Sequence, residues 1–277
     1  MSAARWGDVA SYALFALLAA FFLLPFAWLV SLAIRTPAEV YLGAARFIPE
    51  APTLDNFSAV LSDRAFLSYL WNGLKLSAGG GALAIALAIP AAYACSRIPF
   101  RGQGAVLVGL LAVQMISPLV ILVPLYRWMS TLDLLNLHLS VIAVYGAIGM
   151  PLAVWLLKVT FDAIPVELEE AAQIDGASRW LILGRIVLPL ARSGLASAFV
   201  LTMVMNWSQF LVPFILLERD QDWPISVAIF NFAGSVSAST TQLLAAACLI
   251  AVLPAVLVFV ALQRMIVTAL ISGAVKG

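Results

Sequence analysis

Residues 164 to 189 read IPVELEEAAQIDGASRWLILGRIVLP, and this stretch separates two long apolar runs of the chain. Pro165 suits the first turn of a helix, and the three glutamates that follow lie near the positive end of the helix dipole. Gly176 can take the left-handed conformation that closes a helix, and Ser178 can cap a second one. The stretch therefore predicts two short helices, the second of which is interrupted by Pro189.

The first of these helices should present a narrow face built largely from small side chains. At helical spacing, Leu168, Ala171, Ala172 and Asp175 share one stripe, which glutamates flank. A groove on another protein can seat such a face closely. The simpler interpretation is a charged loop that only connects two apolar helices, and for an arbitrary loop base rates favour it.

On both sides of this segment the composition is that of a membrane protein. The chain has 277 residues, of which 64% are hydrophobic and 10% charged, and its mean hydropathy is +1.05, far above that of soluble domains. A net charge of +1 gives no basic excess for a phosphate backbone, so we expect no nucleic-acid partner. Cys95, Cys248 and the single histidine, His138, form no metal-ligand pattern, so we expect no metal site.

Apolar runs without charge predict an all-α, polytopic membrane protein with six transmembrane helices in one domain, residues 1–277. The predicted helices cover residues 9–34, 70–96, 102–126, 134–158, 192–217 and 242–264, with the segment 164–189 between the fourth and the fifth. The turn-rich stretch 223–241 is predicted to be a loop. The distribution of Lys and Arg predicts that both termini and the segment 164–189 are cytoplasmic.

The segment also resembles a known signature, in which Glu-Ala-Ala is followed by three residues, Gly, nine residues and then Ile-x-Leu-Pro. The matching positions are Glu170, Ala171, Ala172, Gly176, Ile186, Leu188 and Pro189. The signature belongs to ATP-binding-cassette importer permeases, the binding-protein-dependent transport system inner membrane component family. In that family the loop is a coupling helix that docks into a cleft on a cytoplasmic ATPase. The resemblance implies the same role for these residues and for the neighbouring Glu167 and Asp175.

Further motifs are similar to the carbohydrate branch of this family, which includes the second membrane subunit of the maltose importer. Ala92-Tyr93-Ala94-Cys95-Ser96-Arg97 looks like the Ala-Tyr-Ala-x-x-Arg ending of helix two in that branch. The C-terminal residues Gly273 to Lys276 resemble a tail that reaches between the ATPase subunits of the maltose importer. In helix five, Trp207-Ser208-Gln209 departs from the usual Trp-Asn-acidic pattern. The resemblance implies a sugar cargo, first a disaccharide such as maltose or trehalose, with monosaccharides and glycerol phosphate as alternatives.

The resemblance also implies a set of partners in the bacterial cytoplasmic (inner) membrane. They are a second permease subunit that completes a heterodimer, a dimer of cytoplasmic ATPases that hold ATP and magnesium, and an extracytoplasmic solute-binding protein. The sequence contains no Walker-type phosphate loop and no nucleophile elbow, so we expect neither enzymatic activity nor a cofactor of its own. An outer loop contacts the binding protein in maltose-type importers, and its counterparts here are Asn231, Gly234 and Ser235.

Polar side chains at membrane depth are candidates for the substrate pathway, because an unpaired polar group is costly there. They are Gln114, Ser117, Tyr145, Asn206 and Gln209. Amides and aromatic rings suit a neutral polyol. The alternative is that these side chains join neighbouring helices to one another, and for Asn206 and Gln209 the two interpretations are equally balanced.

Two other classes of function fit the sequence less well. An ion-coupled secondary transporter needs ionisable residues or broken helices inside the membrane and commonly has inverted repeats. A membrane-embedded enzyme needs acid, base or metal groups that converge at that depth. The apolar runs suggest none of these features.

Overall fold

The computed structural model describes the backbone of residues 2–42, 46–235 and 241–274, and the side chains of residues 11–41, 46–117, 119–230 and 241–261. Within these ranges all regular secondary structure is helical, which confirms the all-α class. The α-helices are α1 (Ser2–Ala33), α2 (Pro37–Leu42), α3 (Asp55–Ser62), α4 (Arg64–Arg97), α5 (Gln103–Gln114), α6 (Pro118–Thr131), α7 (His138–Asp162), α8 (Glu167–Ile174), α9 (Arg179–Ile182), α10 (Leu188–Leu190), α11 (Arg192–Trp207), α12 (Leu211–Leu216), α13 (Ile225–Ser235) and α14 (Thr241–Ala274). A π-helix (Leu183–Val187) joins α9 to α10, and a 3₁₀-helix (Asp220–Asp222) follows α12.

Several of these helices are long and apolar enough to cross a membrane. Four do so as continuous helices, namely Ser11–Ala33 of α1, α4, α7 and Thr241–Ala261 of α14. Two further pairs meet the criterion only together, α5 with α6, bent by 89°, and Arg179–Leu190 with α11, bent by 79°. The described residues therefore contain four candidate spans, or up to six if each bent pair is one span.

The third predicted helix, residues 102–126, is wrong as a continuous element. The chain breaks after α5, and Ser117 has an extended backbone with ψ of 129° immediately before Pro118, the first residue of α6. A proline lacks the backbone N–H and restricts the residue before it to extended conformations, so it begins a new helix here. Apolar composition continues across the break, and this is why the sequence suggested a single helix.

The fifth predicted helix, residues 192–217, is also interrupted. It forms as α11 and α12, with a break at residues 208–210. Pro213 lies in the first turn of α12, where its missing N–H costs no intrahelical hydrogen bond. In a continuous helix that N–H would bond to the carbonyl of Gln209, so the break leaves this carbonyl free to accept other donors.

The predicted loop at residues 223–241 is wrong for most of its length, because Ile225–Ser235 is the helix α13. The amides of Val227 and Ala228 donate to the carbonyl of Pro224, 3.1 Å away in each case, and so begin the first turn. The small and polar residues that suggested a loop lie mostly towards the end of this stretch. Helix α14 begins one residue before the predicted position and continues ten residues past the predicted end at 264.

The described residues divide into two compact units, of which the first draws on Met1–Leu67 and Ile229–Leu253. In this unit the buried Arg35 lies over the ring of Trp28, with 5.2 Å between the guanidinium carbon and the ring centroid. Asn56 donates to the carbonyls of Ala33 and Arg35 at 2.8 Å. These contacts hold the end of α1 against the following segment. The single domain expected from the sequence stays a prediction.

The second unit draws on Ser68–Ala228 and Pro254–Gly277 and contains the segment 164–189. Its main core includes Ala92 of α4 and Leu157 and Phe161 of α7, packed with Ile182 and Val187. All five side chains are fully buried. Small residues such as alanine let membrane helices approach closely. The core therefore places the segment 164–189 against the ends of α4 and α7.

Candidate functional site

The segment 164–189 contains two short helices, α8 and α9, and a tight turn joins them. Gly176 has a φ of +84°. Its amide donates to the carbonyl of Gln173 at 3.0 Å, and the amide of Ala177 donates to that of Ala172 at 2.9 Å. This pair of bonds is a Schellman motif, and it needs a left-handed residue where Gly176 lies. The hydroxyl of Ser178 accepts a hydrogen bond from the amide of Leu181 at 3.4 Å, as expected of a cap.

The two prolines of the segment lie slightly differently from the prediction. Pro165 precedes the N-cap residue, Val166, and so stands just outside the first turn of α8. Pro189 lies within α10, and the chain bends two residues later, at Ala191. The ring of a proline clashes with the carbonyl four residues before it, that of Arg185 here. Arg185 belongs to the π-helix, whose wider turn provides space for this ring.

Most of the signature residues lie at the surface of the chain. The exposed ones are Glu167, Glu170, Ala171, Asp175, Gly176 and Pro189, whereas Ala172, Ile186 and Leu188 are half-buried against the core. The predicted stripe is therefore divided, because Ala172 packs inward while Leu168, Ala171 and Asp175 face outward. Two large apolar side chains that are not among the predicted site residues are also exposed, Ile174 at 87% and Trp180 at 74%.

Glu169 differs from the other glutamates of α8, because its side chain turns inward and only 2% of the residue is exposed. One carboxylate oxygen accepts a hydrogen bond from Nε of Arg97 at 2.6 Å, and the other accepts one from the hydroxyl of Tyr93 at 2.7 Å. Another nitrogen of the same guanidinium group, Nη2 of Arg97, donates to the carbonyls of Phe161 at 2.8 Å and Ile164 at 2.9 Å. These bonds join α8 to the ends of α4 and α7. We call Tyr93, Arg97 and Glu169 the anchor cluster.

In the sequence, Tyr93 and Arg97 stand out only as parts of a motif, and Glu169 is not among the predicted site residues. Two spacings in the sequence were consistent with the cluster. Tyr93 and Arg97 lie four residues apart and share a face of α4, and Glu169 and Ala172 share the inward face of α8 by their spacing of three. Spacing alone could not reveal which face of α8 turns inward, because the residues that receive it lie more than 70 residues away.

A second, more exposed group of charges lies beside the anchor cluster. Nζ of Lys158 lies 2.6 Å from one carboxylate oxygen of Asp162, and the other oxygen accepts a hydrogen bond from the hydroxyl of Ser96 at 2.5 Å. Both members of the ion pair are partly open to solvent. Exposed pairs of this kind contribute at most about 1 kcal/mol to stability.

Two of the candidate pathway residues, Tyr145 and Asn206, are buried within the second unit, with exposed fractions of 2% and 6%. The side-chain amide nitrogen of Asn206 donates a hydrogen bond to the carbonyl of Ser77, 3.4 Å away. Gly80 of α4 makes this approach possible, because a Cβ there would press on Cβ of Tyr145 and lie 2.9 Å from the Asn206 amide nitrogen. This geometry favours the interpretation that both side chains join helices.

The other three candidates, Gln114, Ser117 and Gln209, lie at the two helix breaks. Gln114 and Ser117 are exposed where α5 meets α6, and Gln209 is half-buried where α11 meets α12. Both breaks contact the same part of α7. The Gln114 amide donates to the carbonyl of Ile148 at 3.5 Å, and the hydroxyl of Tyr145 donates to the carbonyl of Gln209 at 3.4 Å.

The carbonyl of Gln209 receives no helical hydrogen bond from Pro213, because proline has no N–H. It also accepts a hydrogen bond from the hydroxyl of Ser226 at 2.8 Å. The breaks therefore place polar side chains near the middle of α7, and the backbone at the second break is satisfied by neighbouring helices.

Several predicted site residues fall outside the described side chains. Asn231, Gly234 and Ser235 belong to α13, and Gly273 belongs to α14, but only their backbones are described. Lys276 lies outside the described residues altogether. Among the residues whose side chains are described, no three His, Cys, Asp or Glu lie close enough together to hold a metal ion.

The expectation that the membrane helices are unbroken is wrong, because two of the candidate spans are interrupted at polar residues. Long apolar helices with such interruptions define a polytopic membrane protein of the kind that moves solutes. The family described as binding-protein-dependent transport system inner membrane component matches residues 84–272. The chain belongs to this family, and it is an inner-membrane permease component of an ATP-binding-cassette transport system. The resemblance carried by the segment 164–189 is confirmed. The expectation of a transport subunit instead of an enzyme is also confirmed, because the family is one of transport components.

Related proteins match nearly the whole chain. The trehalose transport system permease protein of Mycobacterium tuberculosis is 31% identical over 256 residues, 92% of this chain and 93% of that protein. The sulfoquinovosyl glycerol transport system permease protein of Agrobacterium fabrum is 30% identical over 255 residues, 92% of this chain and 89% of that protein. Among solved structures, a chain of a bacterial transporter involved in the import of the acidic polysaccharide alginate has a TM-score of 0.78 at 23% identity, over 95% of this chain and 98% of that one. This last likeness shows a shared fold.

Proposed function

We propose that the chain forms half of the translocation pathway of an importer for a neutral sugar, with a disaccharide such as trehalose or maltose as the first expectation. The observation that carries the proposal is 31% identity with a trehalose permease over 92% of this chain. The side chains at the helix breaks, Gln114, Ser117 and Gln209, carry no charge. They favour a neutral polyol over glycerol phosphate, the alternative cargo, because an anion at that depth needs a compensating charge.

The proposed assembly contains this chain, a second permease subunit and an extracytoplasmic solute-binding protein, together with a pair of ATPases that bind ATP and magnesium. Both termini and the segment 164–189 lie on the cytoplasmic side, and α8 is the coupling helix. Exposed Ile174 and Trp180, two and four residues from Gly176 in the chain, support a docking surface there, because large apolar side chains exposed to solvent gain from being covered by a partner. Glu167, Glu170 and Asp175 supply charge for orienting the partner.

Two further assignments rest on the family resemblance alone. Asn231, Gly234 and Ser235 are assigned to the contact with the binding protein. Gly273 and Lys276 are assigned to a C-terminal tail that reaches the ATPases.

The substrate-facing surface is assigned to the side chains at the two helix breaks. Broken helices at membrane depth are tolerated where they are buried in protein or line a water-filled cavity. Among the described residues, Gln114 and Ser117 are exposed and Gln209 is half-buried. These three side chains are therefore available to a ligand or to the second permease subunit, whereas Tyr145 and Asn206 are already enclosed.

Uptake of the sugar is expected to depend on ATP and to be indifferent to ion gradients. The full complex with its binding protein is reconstituted in proteoliposomes, and uptake of radiolabelled trehalose and maltose is measured with ATP inside or outside and with ionophores added. Uptake should require ATP on the side that exposes the segment 164–189. Uptake that persists without ATP and collapses with an ionophore would identify a secondary transporter and overturn the proposal.

Replacing Gln209 by alanine is expected to raise the KM for uptake roughly tenfold, since one or two neutral hydrogen bonds contribute about 1 kcal/mol each. The basal ATPase activity of the complex should not change. Gln221→Ala provides the matched control, because Gln221 is exposed in the 3₁₀-helix after α12. An unchanged KM in Gln209→Ala would remove this residue from the pathway.

A further inference from the structure

We propose that the anchor cluster of Tyr93, Arg97 and Glu169 is the link that transmits movement of α8 to the ends of α4 and α7. This inference rests on the proposed function, in which α8 docks on the ATPases. The three side chains are positioning residues, because they act on the pathway through the helices that they join. The cluster is separate from the exposed signature residues of α8, since it occupies the inward face of that helix.

Helix α8 has only eight residues, about two turns. An isolated helix of this length is not stable in water, so its position depends on what holds it. The Schellman turn at Gly176 fixes its end relative to α9, and Ala172 provides one apolar contact with the core. A further attachment is Glu169, whose two oxygens are both bonded to α4. A displacement of α8 therefore acts directly on the last turn of α4.

Arg97 is bonded to three elements at once. Its Nε donates to Glu169 of α8, and its Nη1 donates to the hydroxyl of Ser96 at 3.0 Å. Its Nη2 donates to the carbonyls of Phe161, in the last turn of α7, and Ile164, two residues past the end of that helix. A guanidinium has a rigid, planar set of donors, so these bonds fix the directions of the three helix ends relative to one another.

Directional bonds transmit motion differently from apolar contacts. Apolar side chains resist compression, but they slide past each other or separate at a small cost for each contact. A buried ion pair resists both displacements, because separation leaves an uncompensated charge inside the protein. The ring of Tyr93 also lies edge-on to that of Phe161, with 6.3 Å between centroids. The anchor cluster is therefore suited to transmitting movement of α8 both towards and away from the ends of α4 and α7.

Helix α4, whose end is bonded to α8, also contacts the enclosed residues Tyr145 and Asn206. Gly80 and Arg97 belong to the same helix, α4, and are separated by about 25 Å along its axis. Gly80 lies against Tyr145 and Asn206, and the hydroxyl of Tyr145 bonds the carbonyl at the break after α11. Movement of the end of α4 thus reaches a helix break through a continuous set of contacts in the second unit.

The test measures ATP hydrolysed per sugar transported by the full complex with its binding protein in proteoliposomes. Glu169→Gln keeps the shape of the side chain but removes its charge. Uptake is expected to fall at least tenfold while ATP hydrolysis by the assembled complex persists, so the ratio of ATP to sugar should rise at least tenfold. If the cluster only stabilises the fold, uptake and hydrolysis fall together with the amount of assembled complex. An unchanged ratio would overturn the inference.

Tyr93→Phe decides the question if Glu169→Gln fails to assemble, because it removes one hydroxyl and retains the packing of the ring. Its ratio of ATP to sugar should rise about threefold or more, and an unchanged ratio overturns the inference. Glu50→Gln is the control, since it breaks an exposed ion pair with Arg46 in the first unit, which no described bond joins to the anchor cluster, and should leave the ratio unchanged. Uptake independent of ATP in the unmodified complex would instead mark failure of the proposed function.

Discussion

Replacing Gly176 by valine is expected to abolish sugar uptake while leaving the chain inserted in the membrane. The φ of Gly176 is +84°, a region that β-branched residues almost never occupy. Forcing a side chain into it costs roughly 1–2 kcal/mol in general and more for valine. A Cβ at this position would meet no atom of the described residues within 4 Å, so the effect comes from the backbone. The Schellman turn should open, and α8 should lose its orientation relative to α9.

A graded set of variants separates backbone strain from any other effect of the change. Asparagine tolerates the left-handed region better than other residues do, so uptake should decrease in the order Gly176→Asn, Gly176→Ala, Gly176→Val. Gly184→Ala is the control, because Gly184 also has an open Cβ position but no positive φ. The measurements are ATP-dependent uptake in proteoliposomes and co-purification of the ATPase. Wild-type uptake by the valine variant would show that this turn is not needed for coupling.

The sequence predicted the features that depend on residues close together in the chain. Long charge-free runs marked α1, α4, α7 and α14, because a helix of about 20 apolar residues satisfies its own backbone in a bilayer. The closure of α8 at Gly176 and the cap at Ser178 were predictable for the same reason, since each involves partners within five residues.

The helix breaks were not predictable from apolar composition, and proline alone did not mark them. Prolines 90, 124, 151 and 254 lie inside α4, α6, α7 and α14, which continue through them. What distinguishes the break before Pro213 is that Tyr145 and Ser226 supply hydroxyl donors to the Gln209 carbonyl. One of these donors lies 64 residues away in the chain. The anchor cluster has the same character, because Arg97 and Glu169 are 72 residues apart.

The spacing of Asn206 and Gln209 in the sequence also did not distinguish their environments. Asn206 and Gln209 share a helical face by spacing and received equal weight as pathway residues. The structure separates them, because the helix ends at Trp207 and Gln209 lies in the break. Asn206 is enclosed by α4 and α7, whereas Gln209 is only half-buried. Asn206 is enclosed because the neighbouring helix α4 carries a glycine, Gly80, where it meets Asn206. The spacing of Asn206 and Gln209 in the sequence does not reveal this contact.

Replacing Gly80 by leucine is expected to prevent the chain from accumulating in the membrane. Gly80→Ala is expected to lower the thermal stability of the protein measurably. Even the Cβ of alanine would press on Cβ of Tyr145, which cannot rotate away, and would approach the Asn206 amide nitrogen to 2.9 Å. Overpacking of this kind costs typically 1–3 kcal/mol. At about 2–4 °C per kcal/mol for a chain of this size, Gly80→Ala should lower the Tm by roughly 2–12 °C.

The matched variant is Gly109→Ala in α5, where an added Cβ meets no atom within 4 Å in the part of the chain that the structure describes. Alanine is the better helix former by about 0.5–1 kcal/mol, so this change should leave the Tm unchanged or raise it. The Tm of both variants is measured in detergent by the loss of the monodisperse peak after heating. Membrane levels of Gly80→Leu are compared with those of Gly109→Leu. Equal stability of the two alanine variants would mean that α4 and α7 do not approach as closely as the contact at Gly80 requires, and the enclosed position of Asn206 would then have to be revised.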